Sequence, residues 1–310
     1  MTMDALSDLL QSLRLKGGIY FNCELSAPWG MDIEQTSVAE FHIVVHGRCW
    51  LKVASEESRI CLEEGDVVVF PHGHAHILLD APQSVAASVE AVIGSQKTEN
   101  YGPILYGGGG MPTHILCGYF EFDRKNHSPL LDALPSFIHI KGGDVTDLYW
   151  LQSTVNFIHH ETRALGHGTE AVVNRLVELL FIQIMRAYIK QSSMPLGVLS
   201  AIADAKVGLA LNALHQKPAY SWTLEALSQQ AGMSRTAFSQ RFRSLVGQTP
   251  LHYLTVWRMQ KAKKMLESGK LTLPAIAEEV GYLSEASFSK VFKKWIGVSP
   301  GACRRDATKA

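Results

Sequence analysis

Ser234-Arg-Thr-Ala-Phe-Ser-Gln-Arg-Phe-Arg-Ser-Leu-Val-Gly-Gln-Thr-Pro250 decides the fold of the C-terminal part of the chain, because it recurs 50 positions later as Ser284-Glu-Ala-Ser-Phe-Ser-Lys-Val-Phe-Lys-Lys-Trp-Ile-Gly-Val-Ser-Pro300. In each copy a phenylalanine is followed by further apolar residues four and seven positions later, the spacing that forms one face of an α-helix. A serine begins each copy, and serine is a preferred helix N-cap. The repeat therefore predicts two related helical units.

A shorter helix is predicted ahead of each copy. It begins with Leu224-Glu-Ala-Leu-Ser228 in the first unit and with Leu273-Pro-Ala-Ile-Ala277 in the second, and a glycine follows four residues later, at Gly232 and Gly281. Small residues let two helices approach closely, and glycine permits the positive φ of a tight turn. The pattern predicts two helix-turn-helix units, joined by a helix over about 251–267.

The outward face of each repeated helix carries side chains that can hydrogen-bond to base edges and phosphates. Charged residues on one side of a single amphipathic helix are typical of a solvated surface, and the repetition is what favours a nucleic-acid interface. The candidates for DNA contact are Arg235, Thr236, Ser239, Gln240, Arg243, Glu285, Ala286, Ser287, Lys290 and Lys293.

Charge is divided unevenly along the chain. Residues 196–310 carry 16 Lys and Arg against 7 Asp and Glu, a net charge of +9, whereas residues 1–195 carry 13 against 22, a net charge of −9. A basic C-terminal part attracts phosphates whatever their sequence, and an acidic N-terminal part does not compete for them. The distribution favours DNA as the partner of the C-terminal part alone.

The length of 310 residues, of which 46% are apolar, allows two sizeable cores. No run approaches the ~18 apolar residues of a membrane span, and the N-terminus lacks the basic-then-apolar plan of a secretory signal. We therefore expect a cytoplasmic protein, with a short amphipathic helix through Leu6, Leu9, Leu10 and Leu13. The five cysteines form no Cys-x-x-Cys pair, so a disulfide framework is not expected.

Short apolar runs separated by Gly, Pro and Asp characterise the stretch from Gly18 to about Ile140. This texture predicts an antiparallel β-sandwich or barrel. The predicted strands cover residues 40–45, 49–53, 66–70, 88–93 and 113–122.

One segment of this stretch, Gly65-x5-Pro71-x-Gly73-x2-His76-x3-Asp80, resembles the second motif of the cupin family, with Asp in place of the usual final Asn. Cupin metalloenzymes combine the histidine of this motif with a His-x-His and a glutamate from a first motif. Glu40 stands at the glutamate position, but the His-x-His positions hold no histidine. The metalloenzyme pattern is therefore broken.

A reduced metal site remains one interpretation of these residues. His42 shares a strand face with Glu40, because alternate residues of a strand point the same way. Together with His76 they could hold a divalent metal ion, and the run Pro71-His-Gly-His-Ala-His76 could add two more ligands. The candidate metal ligands are His42, His72, His74 and His76, beside Glu40. The opposing interpretation is that histidines in a turn are simply solvated.

Taken together, these segments resemble the AraC/XylS family of transcription regulators. The run from Gly281 to Pro300 is similar to the signature of the family's DNA-binding domain, and the N-terminal stretch is similar to the cupin-type sensor domain of one branch. The resemblance implies an α+β chain, with a cupin-like β-barrel sensor domain over 1–166, an amphipathic helix and linker over 167–197, and an all-α domain with two helix-turn-helix units over 198–310.

The resemblance also implies a function and partners. The two recognition helices are expected to enter successive major-groove segments of double-stranded DNA, with base contacts on Thr236, Ser239, Gln240, Ala286, Ser287 and Lys290. The protein is expected to be an activator rather than an enzyme, to work with RNA polymerase, and to be controlled through its barrel by a small molecule, a metal or oxidation. Alternatives are a metal-binding cupin enzyme fused to a DNA-binding domain, and an architectural DNA binder with a ligandless barrel.

Two further hypotheses concern the acidic part of the chain. Cys23 and Cys117 are candidates for a redox switch, since this branch of the family includes oxidant-responsive activators; the simpler interpretation is that they are small buried hydrophobes. The segment 169–189 predicts a helix whose broad apolar stripe contacts either its own barrel alone or a second copy as well, giving a homodimer. Residues 191–195 are expected to form the linker that follows it.

Overall fold

The computed structural model describes residues 4–13, 15–54, 59–94, 103–122, 128–142, 149–164, 166–191 and 197–308. The chain forms two compact units. One comprises residues 13–123 and 134–193, and the other comprises residues 1–12, 124–133 and 194–310. The second unit therefore takes in two segments from within the range 1–166 predicted for the sensor domain. Residues 192–196, which include most of the predicted linker, lie outside the described residues.

The first unit is built on two β-sheets. Their strands are β1 (Lys16–Ser26), β2 (Gly30–Ile33), β3 (Ala39–His46), β4 (Arg48–Val53), β5 (Ile60–Glu63), β6 (Val67–Phe70), β7 (His76–Leu79), β8 (Ala87–Ser88), β9 (Pro103–Gly107), β10 (Pro112–Glu121) and β11 (Ile138–Ile140). A six-stranded sheet has the order β11-β6-β3-β10-β1-β9, and a five-stranded sheet has the order β5-β4-β7-β2-β8. Neighbouring strands are antiparallel except for the parallel pairs β1–β9 and β2–β8.

Side chains from both sheets share one core, in which Cys23, Leu51, Phe70 and Ile115 are buried. The two sheets do not close on each other within the described residues, so the cupin-like barrel takes the form of a β-sandwich. Apolar runs predict its strands because each strand must bury at least one face.

Four of the five predicted strands are confirmed, as β3, β4, β6 and β10. The prediction of a strand over 88–93 was wrong, because the chain turns into helix α2 (Val89–Ile93) after two residues of β8. The hydroxyl of Ser88 accepts a hydrogen bond from the backbone N–H of Ala91 at 3.3 Å, as an N-cap does. Val89, Val92 and Ile93 have a spacing that also fits one helix face, and the latter two are buried.

Two long helices complete the first unit, α4 (Tyr149–Ala164) and α5 (Thr169–Gln191). The predicted helix over 169–189 is confirmed as α5, which packs on β1 and α4. The buried side of the predicted stripe includes Val177. Its side chain packs so closely on Gly17 of β1 that a Cβ atom added at Gly17 would lie 2.5 Å from a methyl group of Val177. Val172, Leu179 and Ile182 stay exposed, so the stripe is broader than the intramolecular contact requires.

The described part of the second unit is entirely helical. It contains α1 (Ala5–Ser12), α3 (Pro129–Asp132), α6 (Gly197–Ala203), α7 (Val207–Gln216), α8 (Leu224–Gln230), α9 (Arg235–Val246), α10 (Pro250–Ser268), α11 (Leu273–Glu279), α12 (Glu285–Ile296) and α13 (Pro300–Thr308). The joining helix predicted over 251–267 is confirmed as α10. Among the described residues no single helix has the length and apolar character of a membrane span, although α6 and α7, bent by 106°, meet both criteria as a pair.

Both helix-turn-helix units have the predicted turns. Gly232 and Gly281 adopt positive φ angles of 61° and 80° between the paired helices. The hydroxyls of Ser234 and Ser284 cap α9 and α12 by accepting hydrogen bonds from backbone N–H groups three residues later. Local signals suffice here because caps and turns depend on neighbouring residues.

The predicted N-terminal amphipathic helix is confirmed as α1, and it packs against α7. Asp8 is buried there, with its Oδ2 3.1 Å from Nδ1 of His215 and 3.3 Å from Nζ of Lys261. The other nitrogen of His215 lies 2.8 Å from the hydroxyl of Tyr253. Burial alone would raise the pKa of Asp8, but the His215 hydrogen bond and the Lys261 charge outweigh it and hold the pKa below its ordinary value. Asp8 therefore stabilises the docked helix as a carboxylate.

We expect Asp8→Ala to lower the free energy of unfolding by about 1–3 kcal/mol, because it leaves Nδ1 of the buried His215 without its hydrogen-bond partner. Since the pKa of Asp8 is lowered by folding, this stabilisation is present above the ordinary value of 3.8 and is lost as the pH falls through the folded value. Urea unfolding at neutral pH and below pH 3.8 measures both effects. Gln11→Ala, on the exposed side of α1, is the control, and an equal midpoint for the two variants at neutral pH contradicts the assignment.

Candidate DNA interface and candidate metal centre

The outward faces of α9 and α12 present the residues predicted to contact DNA. Every one of them is exposed except Ser239, which is half-buried. Phe238 and Phe242 anchor the opposite face of α9 in the core, and Phe288 and Phe292 do the same for α12. Equivalent positions of the two helices are therefore presented in the same way.

Polar contacts within the unit engage two of these side chains. The hydroxyl of Ser287 donates to the carbonyl oxygen of Ser284 at 2.9 Å, so it must rotate before it can donate to a base. Nε of Arg235 lies 3.4 Å from Oε2 of Glu225, but both side chains are mostly exposed and such a pair contributes little to stability. Arg235 is thus available to a phosphate.

Arg241, which was not among the predicted DNA contacts, has a structural role beside them. Its guanidinium lies 2.6 Å from Oδ2 of Asp204 and links α9 to the turn between α6 and α7. The hydrogen bond from Arg241 and those from two backbone N–H groups outweigh the effect of burial and hold the pKa of Asp204 below its ordinary value. The ion pair between Arg241 and Asp204 thus fixes the orientation of α9 relative to the turn between α6 and α7.

A second group of polar side chains lies in the core of the sandwich. His42 on β3 and His76 on β7 belong to different sheets, and their Nε2 atoms are 2.7 Å apart. The ring of Phe70 stacks on that of His76 with centroids 3.6 Å apart and planes 8° from parallel. The pair is held between the sheets and shielded from solvent.

Hydrogen bonds define the tautomers of the two imidazoles. Nδ1 of His76 lies 2.8 Å from the carbonyl oxygen of His74, which can only accept, so Nδ1 carries the proton and Nε2 has a lone pair. Nε2 of His42 then donates to it, and Nδ1 of His42 can accept from the thiol of Cys117, 3.2 Å away. The side chains of His42 and Cys117 can reach each other because the two residues are directly paired between β3 and β10.

Burial keeps both histidines neutral. It lowers the pKa of His76 to about 4, and it lowers the pKa of His42 well below its ordinary value, with His76 adding to the effect. Neutral imidazole is the form that binds metal ions.

Glu40 completes the cluster. Its carboxylate oxygen and one nitrogen of each histidine all lie within 4.8 Å of one another. Oε2 of Glu40 is buried without a hydrogen-bond partner, and burial raises the pKa of this carboxyl to about 7, although a hydrogen bond with Thr36 opposes the rise. A buried carboxylate oxygen with no partner is costly, and a cation beside it would offset that cost.

Comparison with known proteins agrees with this two-part architecture. The Cupin family matches residues 4–190, and the Helix-turn-helix domain family matches residues 227–306. An AraC-like transcription regulator from Streptomyces lividans is 30% identical over 99% of this chain and 99% of its own length. The chain belongs to the AraC family of transcription regulators.

Other AraC-family relatives match over their whole length. An uncharacterized HTH-type transcriptional regulator from Haemophilus influenzae is 31% identical over 99% of this chain and 100% of its own. The RCS-specific HTH-type transcriptional activator RclR from Escherichia coli K12 is 30% identical over 97% of each. AraC-type DNA-binding domains bind double-stranded DNA. Helices α9 and α12, with their exposed polar faces, lie within the residues that match the helix-turn-helix family.

The first unit brings together only part of the predicted metal set. His42 and His76 meet, and Glu40 joins them. His72 and His74 do not: Nε2 of His72 donates to the carbonyl oxygen of Leu134 at 3.1 Å, and Nδ1 of His74 donates to that of Ser136 at 3.2 Å. Through these hydrogen bonds, both rings connect the turn before β7 to the segment before β11.

The two cysteines of the predicted redox pair lie in the same buried core, on neighbouring strands. Cys23 on β1 is paired with Ile115, two residues from Cys117 on the neighbouring β10, so the two thiols are diagonal neighbours. The Cys23 contact and burial raise the pKa of Cys117 well above its ordinary value. The thiol form is therefore favoured, and it reacts with oxidants more slowly than a thiolate.

Proposed function

We propose that the chain is a sequence-specific transcription activator of the cytoplasm, in which α9 and α12 read two successive major-groove segments and the sandwich controls that reading. The observation that carries the proposal is the repeated recognition helix. Both copies have 12 residues, a serine N-cap and a buried aromatic face, and both leave an exposed polar face outward. The activator names of relatives such as the Escherichia coli protein support the sign of regulation.

The spacing of the two units suits one face of DNA. Helix α10 has 19 residues, which at 1.5 Å per residue gives about 28 Å, close to one turn of the double helix. Gln240 is long enough to bond to an adenine edge with two hydrogen bonds, and Lys290 can donate to guanine. Arg243 and Lys293 lie toward the ends of their helices and suit phosphates.

Oxidation is one control that the buried core of the first unit could exert. Cys23 and Cys117 are diagonal neighbours on the paired strands β1 and β10, so a two-electron oxidant such as a peroxide could convert them to a disulfide, releasing two protons and being reduced itself. Their burial implies slow reaction unless the sheet opens at β1. Control then follows if the disulfide and dithiol forms differ in affinity for DNA.

A regulator accounts for the chain better than a cupin enzyme does. Relatives that match its whole length are named transcription regulators. The buried cluster of Glu40, His42 and His76 is also closed to solvent, whereas a catalytic metal keeps a position for substrate.

We also propose that the regulator is a homodimer that uses the outer side of α5. Val172, Leu179 and Ile182 lie within one helix face, and between 36% and 42% of each side chain is exposed. A second copy of the same helix buries this face symmetrically.

For base reading, we expect Gln240→Ala to weaken binding to the cognate site by about 1–3 kcal/mol and to relax discrimination at one base pair. Lys293→Ala should instead weaken binding to all sequences equally and reduce the slope of affinity against salt by about 1. Footprinting and anisotropy with the full chain on its own upstream DNA measure both. Equal losses on cognate and scrambled DNA for Gln240→Ala contradict base reading by this residue.

For oxidation, we expect mild peroxide treatment to change the footprint of the wild-type protein and to leave that of the Cys23→Ser/Cys117→Ser variant unchanged. Cys61→Ser is the matched control, because Cys61 is the half-exposed cysteine and touches neither thiol of the pair. A full response in the double variant overturns the redox proposal and leaves the DNA-binding function standing.

For assembly, we expect sedimentation at micromolar concentration to show a dimer for the wild type and a monomer for Leu179→Asp, because a buried charge is costly. Glu170→Ala, on the opposite side of α5, should sediment as the wild type does. A wild-type monomer contradicts the proposed dimer.

A further inference from the structure

We propose that Glu40, His42 and His76 bind one divalent first-row transition metal ion, and that this ion is a ligand through which the sensor unit is controlled. The second part of this inference rests on the proposed function, whereas binding of the ion does not. The three side chains lie at the centre of the sandwich and have no role in DNA contact.

The geometry of the cluster is close to that of an occupied site. An ion held at about 2.0–2.1 Å from each imidazole nitrogen in tetrahedral geometry separates the two nitrogens by about 3.3 Å. The Nε2 atoms of His42 and His76 are 2.7 Å apart, so the rings must separate by only about 0.6 Å to admit the ion. A carboxylate oxygen of Glu40 is already within 4.8 Å of one nitrogen of each ring.

The hydrogen bonds present the correct lone pairs. Nε2 of His76 is unprotonated because its Nδ1 donates to the carbonyl oxygen of His74. A single proton on Nε2 of His42 occupies the space between the rings, and a metal ion takes its place. That proton then moves to Nδ1 of His42, which lies 3.2 Å from Sγ of Cys117 and can donate to it once the thiol turns away, so that His42 stays a neutral imidazole. A metal-binding histidine usually donates a hydrogen bond from its other ring nitrogen to an acceptor such as a backbone carbonyl, as His76 does here.

The ligand types select the class of ion. Two imidazole nitrogens and one carboxylate oxygen suit Zn²⁺ or Fe²⁺, whereas Ca²⁺ and Mg²⁺ prefer oxygen ligands alone. The carboxylate also neutralises one of the two positive charges, and Oε2 of Glu40 gains the partner that it lacks.

Burial separates this site from a catalytic one. Glu40, His42 and His76 are 6%, 5% and 2% exposed, so no ligand position opens to bulk solvent. Because Glu40 and His42 are on β3 and His76 is on β7, the ion would tie one sheet to the other. Any ion that binds only the folded state stabilises it, in proportion to the logarithm of its concentration over its Kd.

The test uses the full-length protein purified without chelator and, in parallel, stripped and titrated with Zn²⁺ or Co²⁺. We expect one ion per chain by elemental analysis and a rise in Tm when Zn²⁺ is restored. Glu40→Gln and His42→Asn should each weaken binding at least about tenfold, as loss of even a supporting contact does. His72→Ala and His74→Ala are the matched controls and should bind as the wild type does, because their rings hydrogen-bond to backbone carbonyls of the segment before β11 and lie outside the cluster.

Three results overturn the site. A wild-type protein that takes up no ion and shows no change in Tm does so directly. If the His72 and His74 variants lose metal binding while His42→Asn still binds as the wild type does, the metal site lies in the turn before β7 and not in the proposed cluster. A thiolate-to-cobalt absorption band that disappears in Cys117→Ser replaces the proposed ligands with a sulfur-containing set. The wild-type stoichiometry, Tm and cobalt spectrum decide the matter even where a variant fails to fold.

Footprinting of the same stripped and loaded samples separates the two proposals. A footprint that changes with Zn²⁺ supports control by the ion, and one that is indifferent to Zn²⁺ overturns that control while the binding site stands. Absence of any footprint in both samples overturns the proposed function, and the metal stoichiometry is unaffected by that outcome.

Discussion

The contact between His42 and His76 is the interaction on which the sandwich depends, because it places polar atoms of both sheets together inside an apolar core. A buried polar atom without a partner costs about 1–3 kcal/mol, so every nitrogen of the pair requires one. The order of strands provides them: β10 beside β3 supplies the thiol of Cys117, and the turn before β7 supplies the carbonyl of His74. The metal and redox hypotheses therefore concern one connected cluster.

The two helix-turn-helix units could be predicted almost completely from the sequence, because their signals are local. Serine caps, glycine turns and apolar residues at helical spacing lie within a few positions of the groups they organise. Apolar runs predicted four of the strands correctly, and the fifth prediction, at 88–93, was wrong because a short apolar run fits a strand and a helix face equally well. The N-cap Ser88 decides between them, and its effect is visible only once the turn geometry is known.

The candidate site could be predicted in part. Alternation along β3 places Glu40 and His42 on one face, and the second cupin motif identifies His76. The contact of Cys117 with His42 depends on strand register across 75 positions, which no local pattern fixes. The exclusion of His72 and His74 depends on a segment more than 60 positions away. These long-range contacts are the part that the sequence leaves open.

The docking of α1 gives the helical unit an uncommon connectivity. The chain enters this unit at α1, returns to it at residues 124–133 and returns again after residue 193, so that the unit is assembled from three separate segments of the chain. Asp8 and His215, which are 207 positions apart, belong to the first and the last of these segments. A fragment that begins at α6 therefore lacks α1 and the carboxylate that lies beside His215 and Lys261, and the helical unit is complete only when both ends of the chain are present.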